Sequence, residues 1–444
     1  MFTYQAEEYS DDETAVLRRY FTNLDRPVFA LVNLPEVVKG ALFARYSRSS
    51  KSLRRLFLDE FAGDLDVAVR EGTDAGVGLE RAEKLYEKVF VEYGDDSVAQ
   101  LGGVHLACEQ ASNLLTKLLE WGRLASYLEQ STRYIPYDSR VNGRFRYYRD
   151  PEILASRLGA RYVGDLDSMF DAYSDLLPVL GDHFRRAHPK ADDDSDFVYH
   201  QSIRAKSFDA LRGLLPAAAQ SNVGIYGSGQ AYEALLLRLR AHPLPEARSY
   251  AEDMLAELRK VIPSFLRRVD VPDRGGAWSN YLADNRVAMG EVAQRLLEGR
   301  VEAESDATVK LVDWDPEAET KMIAAMLTPH SHLSDATLLA EVAAMSADDR
   351  RAVVKAYVGQ RANRRHKPGR GLERVNYRFE VVADYGAFRD LQRHRMMTIE
   401  WQNLTPHHGY LRPDEVDAAD ATEAYDRAMA TSAGLHDALA RKFP

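Results

Sequence analysis

The segment Arg123-Leu124-Ala125-Ser126-Tyr127-Leu128-Glu129-Gln130-Ser131-Thr132-Arg133-Tyr134 carries the densest chemistry of the chain. Two arginines, several hydroxyls, a carboxylate and an amide fall within a dozen residues. They follow a stretch over about Asn113 to Trp121 whose apolar spacing predicts an amphipathic helix, so the segment reads as a polar helix end. Ser131 and Arg133 stand two apart and would share a side if the backbone were extended. A serine hydroxyl beside a planar guanidinium fork suits a phosphate group. The same residues also suit a solvated helix end with no ligand. A second basic cluster, Arg393-His394-Arg395, closes a predicted helix over Phe388 to Arg395. There the helix dipole alone accounts for the charge, and a cofactor phosphate is the functional alternative.

Working outward, Pro35 to Phe61 reads as helix, and Gly94 to Asn113 as a mixed, glycine-punctuated stretch. Arg186 to Asp196 and Asp270 to Gly276 are turn-rich loops, the second a candidate boundary. Ala231 to Arg240 and Ala247 to Val261 are helical by propensity, with Pro263 as a stop. Val309 to Val312 predicts a strand, followed by a helix from Asp315 through Met326. Val375 to Val382 alternates as a second strand. The order of turn, strand, helix and arginine-bearing motif occurs twice. An α+β fold of two sheet-and-helix units is therefore expected, with residues 1–275 as the first unit and 276–444 as the second.

The 444 residues suffice for several cores, and a 45% hydrophobic and 28% charged composition matches a globular protein. A net charge of -10 disfavours nucleic-acid binding. No apolar run reaches membrane length, and the acidic N-terminus lacks signal-peptide features, so a cytoplasmic location is expected. The single cysteine, Cys108, excludes an internal disulfide and reads as a packing residue, although His105 three positions before would share its face on a helix. His407-His408 in a loop reads as surface, and no metal site is expected. Gly227-Ser228-Gly229 reads as a helix-entry turn, because no strand-to-helix phosphate loop is legible around it. Trp314 and Trp401 read as packing aromatics, and His366 as part of a basic loop.

Together the two arginine motifs resemble the signature of the flavin-dependent thymidylate synthases, R-H-R-x-x-S-x-N-E-x-S-x-R-Y. The first matches from Arg123 through Ser126, Glu129, Ser131, Arg133 and Tyr134, but Trp121-Gly122 replaces the opening Arg-His and Leu128 the asparagine. The second keeps the opening as Arg393-His394-Arg395, has Thr398 at the serine position, and loses the tail. Gly94-Asp95-Asp96-Ser97 resembles the family's G-H-E-S/T segment, with Asp95 in place of the histidine. Arg212-Gly213-Leu214-Leu215-Pro216 resembles its R-x-x-L-P. Leu237-Arg238-Leu239-Arg240 resembles the end of its arginine helix.

The resemblance implies that Glu129, Gln130, Ser131, Arg133, Arg212 and Arg240 bind deoxyuridylate (dUMP), with Arg240 stabilising the ionised ring. It implies Ser97, Arg123, Glu129, Arg393, His394 and Arg395 for the flavin. FAD would be the cofactor, with NADPH and methylenetetrahydrofolate as co-substrates for reductive methylation of dUMP to dTMP. A homo-oligomer is expected, a dimer of two-unit chains standing in for the family's tetramer. The second unit stops before it would carry its own R-x-x-L-P and arginine helix. Complementary losses in the two halves suggest one composite site; the alternative is a non-catalytic nucleotide- or flavin-binding pseudoenzyme of the same fold.

Overall fold

The structure, a computed structural model, describes residues 4–34, 42, 46, 49–60, 62, 103–300 and 309–443. Residues 35–41, 43–45, 47–48 and 61 of the predicted helix, and Ser97 with its neighbours, lie outside the described residues; 49–52 are not helical, so the single helix predicted over 35–61 is interrupted before Leu53–Glu60. The chain forms two compact units, one of Met1–Glu298 with Asp384–Pro444, the other of Gly299–Ala383. The fold is α+β, as expected.

In the first unit, α1 (Asp11–Leu17), β1 (Val28–Ala30) and α2 (Leu53–Glu60) enclose an aromatic core around Tyr20, Phe21, Phe29 and Phe57. The central strand is β2 (Gly103–Ser112), leading into α3 (Asn113–Leu119) and then β3 (Ala125–Glu129). The long helices α4 (Gly159–Ala187) and α5 (Asp196–Leu211) flank the expected acidic loop. β4 (Gln220–Ser228) runs directly into α6 (Gly229–Arg240), and α7 (Pro245–Leu258) packs beside it. α8 (Ala277–Leu297) ends this part of the unit.

The sheet is antiparallel in the order β1-β2-β4-β3. β2 is buried along nearly its whole length, which hides it from alternation-based reading: with both faces covered, apolar and polar residues need not alternate. A bulge between Cys108 and Ala111 places Gln110 at φ 59°, where its N–H donates to Asn222 Oδ1 at 2.9 Å. Cys108 is fully buried, as expected, but in a strand, so the helical pairing with His105 does not exist. Val223, Ile225, Leu235, Leu236 and Met254 join β4, α6 and α7 in one core.

The second unit pairs β5 (Val309–Trp314) with β6 (Tyr377–Val381) and packs α9 (Ala318–Leu327) on α10 (Asp335–Ala344) through Ile323, Ala324, Leu338 and Val342. Trp314, read as packing, is 54% exposed. Back in the first unit, α12 (Tyr385–Gln392) follows α11 (Ala347–Val358) and β6 in the chain. The last helix, α13 (Thr422–Ala440), supplies Tyr425, Ala428 and Leu435 to a core with Tyr162, Phe170 and Tyr173 of α4. Thus residues 384–443 share cores with the N-terminal part.

Candidate functional site

The Arg123–Tyr134 segment is not a helix end. It turns after α3, forms strand β3 against β4, and then turns again at Ser131–Tyr134. Five β3 residues pair from Ala125 with Gly227 to Glu129 with Val223. Sheet pairing overrides the local polarity because β4 offers a free edge there. Ser131 and Arg133 are consequently not in extended backbone; the Arg133 N–H donates to Ser131 Oγ at 3.2 Å across a turn. Gly227–Gly229 is a helix entry, as expected, with Ser228 capping α6 by accepting from the Ala231 N–H at 3.3 Å, but a strand leads directly into it, which the sequence did not show.

The basic triplet lands on this strand. Helix α12 is capped by Asp384, ends at Gln392, three residues earlier than predicted, and leaves Arg393 as its C-cap. Its Arg389 donates to Glu129 Oε1 at 2.8 Å, and Arg393 donates to Glu129 Oε2 at 2.6 Å. Lys117 of α3 lies 3.2 Å from the same carboxylate and 2.8 Å from Glu120. Arg395 donates to the Ala125 carbonyl. Arg123 donates back to Thr398 Oγ1 at 3.0 Å. Gln392 donates to the Lys117 carbonyl at 2.7 Å, and Arg133 pairs with Asp390 at 2.8 Å.

Glu129 has a fully buried side chain. Burial would raise its pKa, but Arg389, Lys117 and Arg393 outweigh that and hold it well below the ordinary carboxylate range. Glu120 moves the other way, pushed up first by burial and then by the Glu129 charge. One carboxylate thus neutralises cations from two distant stretches of sequence, and in doing so anchors the triplet. Gln130 is also buried and donates to the Ser49 carbonyl at 2.5 Å.

Beside this junction lies a cavity of about 270 Å³ lined by Trp121, Gly122, Arg123, Arg238, His394, Arg395 and their neighbours Gln392 and Met397–Ile399. Trp121 meets Trp401 edge to face at 5.5 Å, and the Arg238 guanidinium sits 5.4 Å from the Trp121 ring centre. Trp401 therefore packs as expected, although it is 39% exposed. Burial lowers the pKa of Arg238, and its Nε has no hydrogen-bond partner, nor does Gln392 Oε1. An aromatic wall with cations and orphaned polar atoms fits a planar, anionic ligand such as part of a flavin or a nucleotide.

Arg240 does not line this cavity; it pairs with Glu252 of α7. Arg238 is the residue that sequence reasoning passed over. Helical spacing alone does not separate the two, since Arg238 follows buried Leu235 by three and Arg240 follows buried Leu236 by four. Arg389 was likewise unremarked, although it precedes Arg393 by one helical turn. Arg212 pairs with Asp209 at 3.2 Å and lies against Gly386 of α12, where a Cβ would come within 3.1 Å of its guanidinium. The structure therefore brings Arg123, Glu129, Arg393, His394 and Arg395 together, sets Arg133 and Arg212 along the same helix α12, and leaves Arg240 at the end of α6, paired with Glu252 of α7.

The profile of the thymidylate synthase complementing proteins matches residues 41–264. Over 98% of its length the chain is 40% identical to a UPF0159 protein of Chlamydia muridarum, covering 83% of that protein. It is also 40% identical, over 99% of its length, to a UPF0159 protein of Chlamydia pneumoniae, again covering 83%. A UPF0159 protein of Thermoplasma acidophilum is 31% identical over 88% of this chain and 79% of its own. With a profile spanning half its length, the chain belongs to the thymidylate synthase complementing protein family, the flavin-dependent thymidylate synthases.

Proposed function

We propose that this chain is a flavin-dependent thymidylate synthase or close relative, methylating dUMP to dTMP with FAD, NADPH and methylenetetrahydrofolate. The observation that carries the reading is the docking of Arg393-His394-Arg395 onto the strand bearing Arg123 and Glu129. Each half of the chain holds the part of the signature that the other lacks, and folding reunites them beside one cavity. When bound, a reduced flavin supplies the hydride and mediates methylene transfer. The residues here would bind and orient: Arg123, His394 and Arg395 the cofactor, Trp121 one face of a planar ring. Ser131, Arg133 and Arg212 would hold the dUMP phosphate. Arg238, dehydrated and aimed at the cavity, takes the ring-stabilising part first expected of Arg240, because a fixed cation beside the ring lowers the energy of charge developing on it.

Two further parts of the reading are proposals of the same kind. Descent from a duplicated unit accounts for the two signature halves. Assembly into a homo-oligomer accounts for α8, which leaves Tyr281, Val287, Met289, Leu296 and Leu297 each more than 60% exposed. Among the described residues no helix is long and apolar enough to cross a membrane. The pseudoenzyme reading has one observation in its favour: Arg133 and Arg393 already have carboxylate partners within the chain. Titrating the full chain with FAD, followed by flavin absorbance, separates the two. Saturable FAD binding and dUMP-dependent turnover are expected; FAD binding without turnover would favour the pseudoenzyme, and no FAD binding at all would overturn the synthase reading.

A further inference from the structure

We propose that His407, His436 and Asp437 form a binding site for one divalent transition-metal ion of the zinc class. His407 lies in the loop after Pro406, and His436 and Asp437 lie in the last turns of α13. His407 Nε2 is 3.6 Å from Asp437 Oδ1, and His436 Nδ1 is 3.4 Å from the same oxygen. All three donor atoms lie within 4.8 Å of one another.

These separations carry the inference. With metal–nitrogen and metal–oxygen bonds of about 2.0–2.2 Å, the edges of a tetrahedral site measure about 3.3–3.6 Å. The two measured edges match, and the third, between the imidazole nitrogens, is no longer than 4.8 Å, so an adjustment of one exposed imidazole seats an ion. The donor set is two imidazoles and one carboxylate, which suits zinc, cobalt and their neighbours over calcium or magnesium. The imidazoles meet edge to face at 87° with centroids 5.9 Å apart, so they do not stack. Two of the ligands stand on a helix whose Leu435 and Ala438 are buried, and rigid elements hold metal geometry better than loops. His407 is steadied by its own N–H, which donates to Thr405 Oγ1 at 3.2 Å. His408, its sequence neighbour, takes no part in the group. The fourth position opens to solvent, since the His407 side chain is 71% exposed.

This is independent of the flavin reading, for the group shares no residue with the cavity. Sequence spacing pointed away from it because the adjacent histidines were the visible pair, whereas the second imidazole arrives from α13. An ion there staples the loop that follows the Arg393–Arg395 triplet to the C-terminal helix.

Cobalt titration of the metal-stripped full chain tests the site. Wild type is expected to bind one Co²⁺ with a tetrahedral visible band, which zinc displaces. His407→Ala and His436→Ala should each weaken binding at least tenfold and abolish the band, while His408→Ala and His183→Ala leave both unchanged. All four positions tolerate replacement if circular dichroism is unaltered. Absence of saturable binding by wild type, or a band that survives in either ligand variant, overturns the assignment.

Discussion

Arg238 and Arg240 are two residues apart, yet only Arg238 reaches the cavity, while Arg240 is held by Glu252. Arg238→Ala should weaken FAD or dUMP binding by about 1.5–3 kcal/mol, the scale of a lost interaction with a charged group, whereas Arg240→Ala should leave both nearly unchanged. Calorimetry on the two variants checks this, and a loss for Arg240→Ala equal to or larger than that for Arg238→Ala would overturn the assignment of Arg238 as the ligand-facing cation. Glu246 offers a second residue-scale test. Burial pushes its pKa from an ordinary 4.5 up to about 7, against the opposing hydrogen bonds from the Ser112 N–H and hydroxyl at 2.8 and 2.6 Å. The folded state therefore binds this proton more tightly than the unfolded chain. Its contribution is complete below about pH 4.5 and is lost as pH rises through about 7. Wild type should lose roughly 3 kcal/mol of stability relative to Glu246→Gln across that window. Parallel unfolding curves for the two proteins at every pH would contradict it.

Helix α12 is the element on which the site depends. Its eight residues hold Arg389 and Gln392 to α3 and β3 and present Asp390 to Arg133. The Arg133–Asp390 pair is 42% and 44% exposed, so it contributes at most about 1 kcal/mol to stability. A bound phosphate and Asp390 compete for the same guanidinium. Arg133→Ala should therefore weaken dUMP binding by at least about 1.5 kcal/mol, and Asp390→Asn should tighten it, with little change in thermal stability for either. Opposite shifts by titration would support the assignment; a loss in both variants would make the pair merely structural. The helix itself was legible from its apolar spacing and basic end. Its partner strand β3 was not, because five residues of mixed polarity become a strand only when β4 lies alongside. The turn at Ser131–Tyr134, likewise, followed from where the sheet ends and not from any local glycine or proline.

For the whole molecule, the decisive feature is the return of residues 384–443 to the first unit. Tyr425, Ala428 and Leu435 fill a core with α4, and Arg389 and Arg393 neutralise Glu129. A chain ending at Glu298 would expose that core and leave Glu129, among the described residues, with Lys117 as its one cation. Such a fragment should lose cooperative thermal unfolding, whereas the full chain with 299–383 replaced by a flexible Gly/Ser linker should retain it. Calorimetric scans of both would decide, and a cooperative transition in the short fragment would refute this account of the fold. By itself the sequence determined the α+β class, the helices with clear apolar periodicity, the burial of Cys108 and the family, since periodicity and motif spacing are local properties. Only the tertiary structure decided which arginine faces the cavity, that Glu129 binds the distant triplet, and that His407 meets α13. Those outcomes depend on contacts between residues 12 to 264 positions apart, and electrostatic pairing at such separations leaves no periodic trace in the chain.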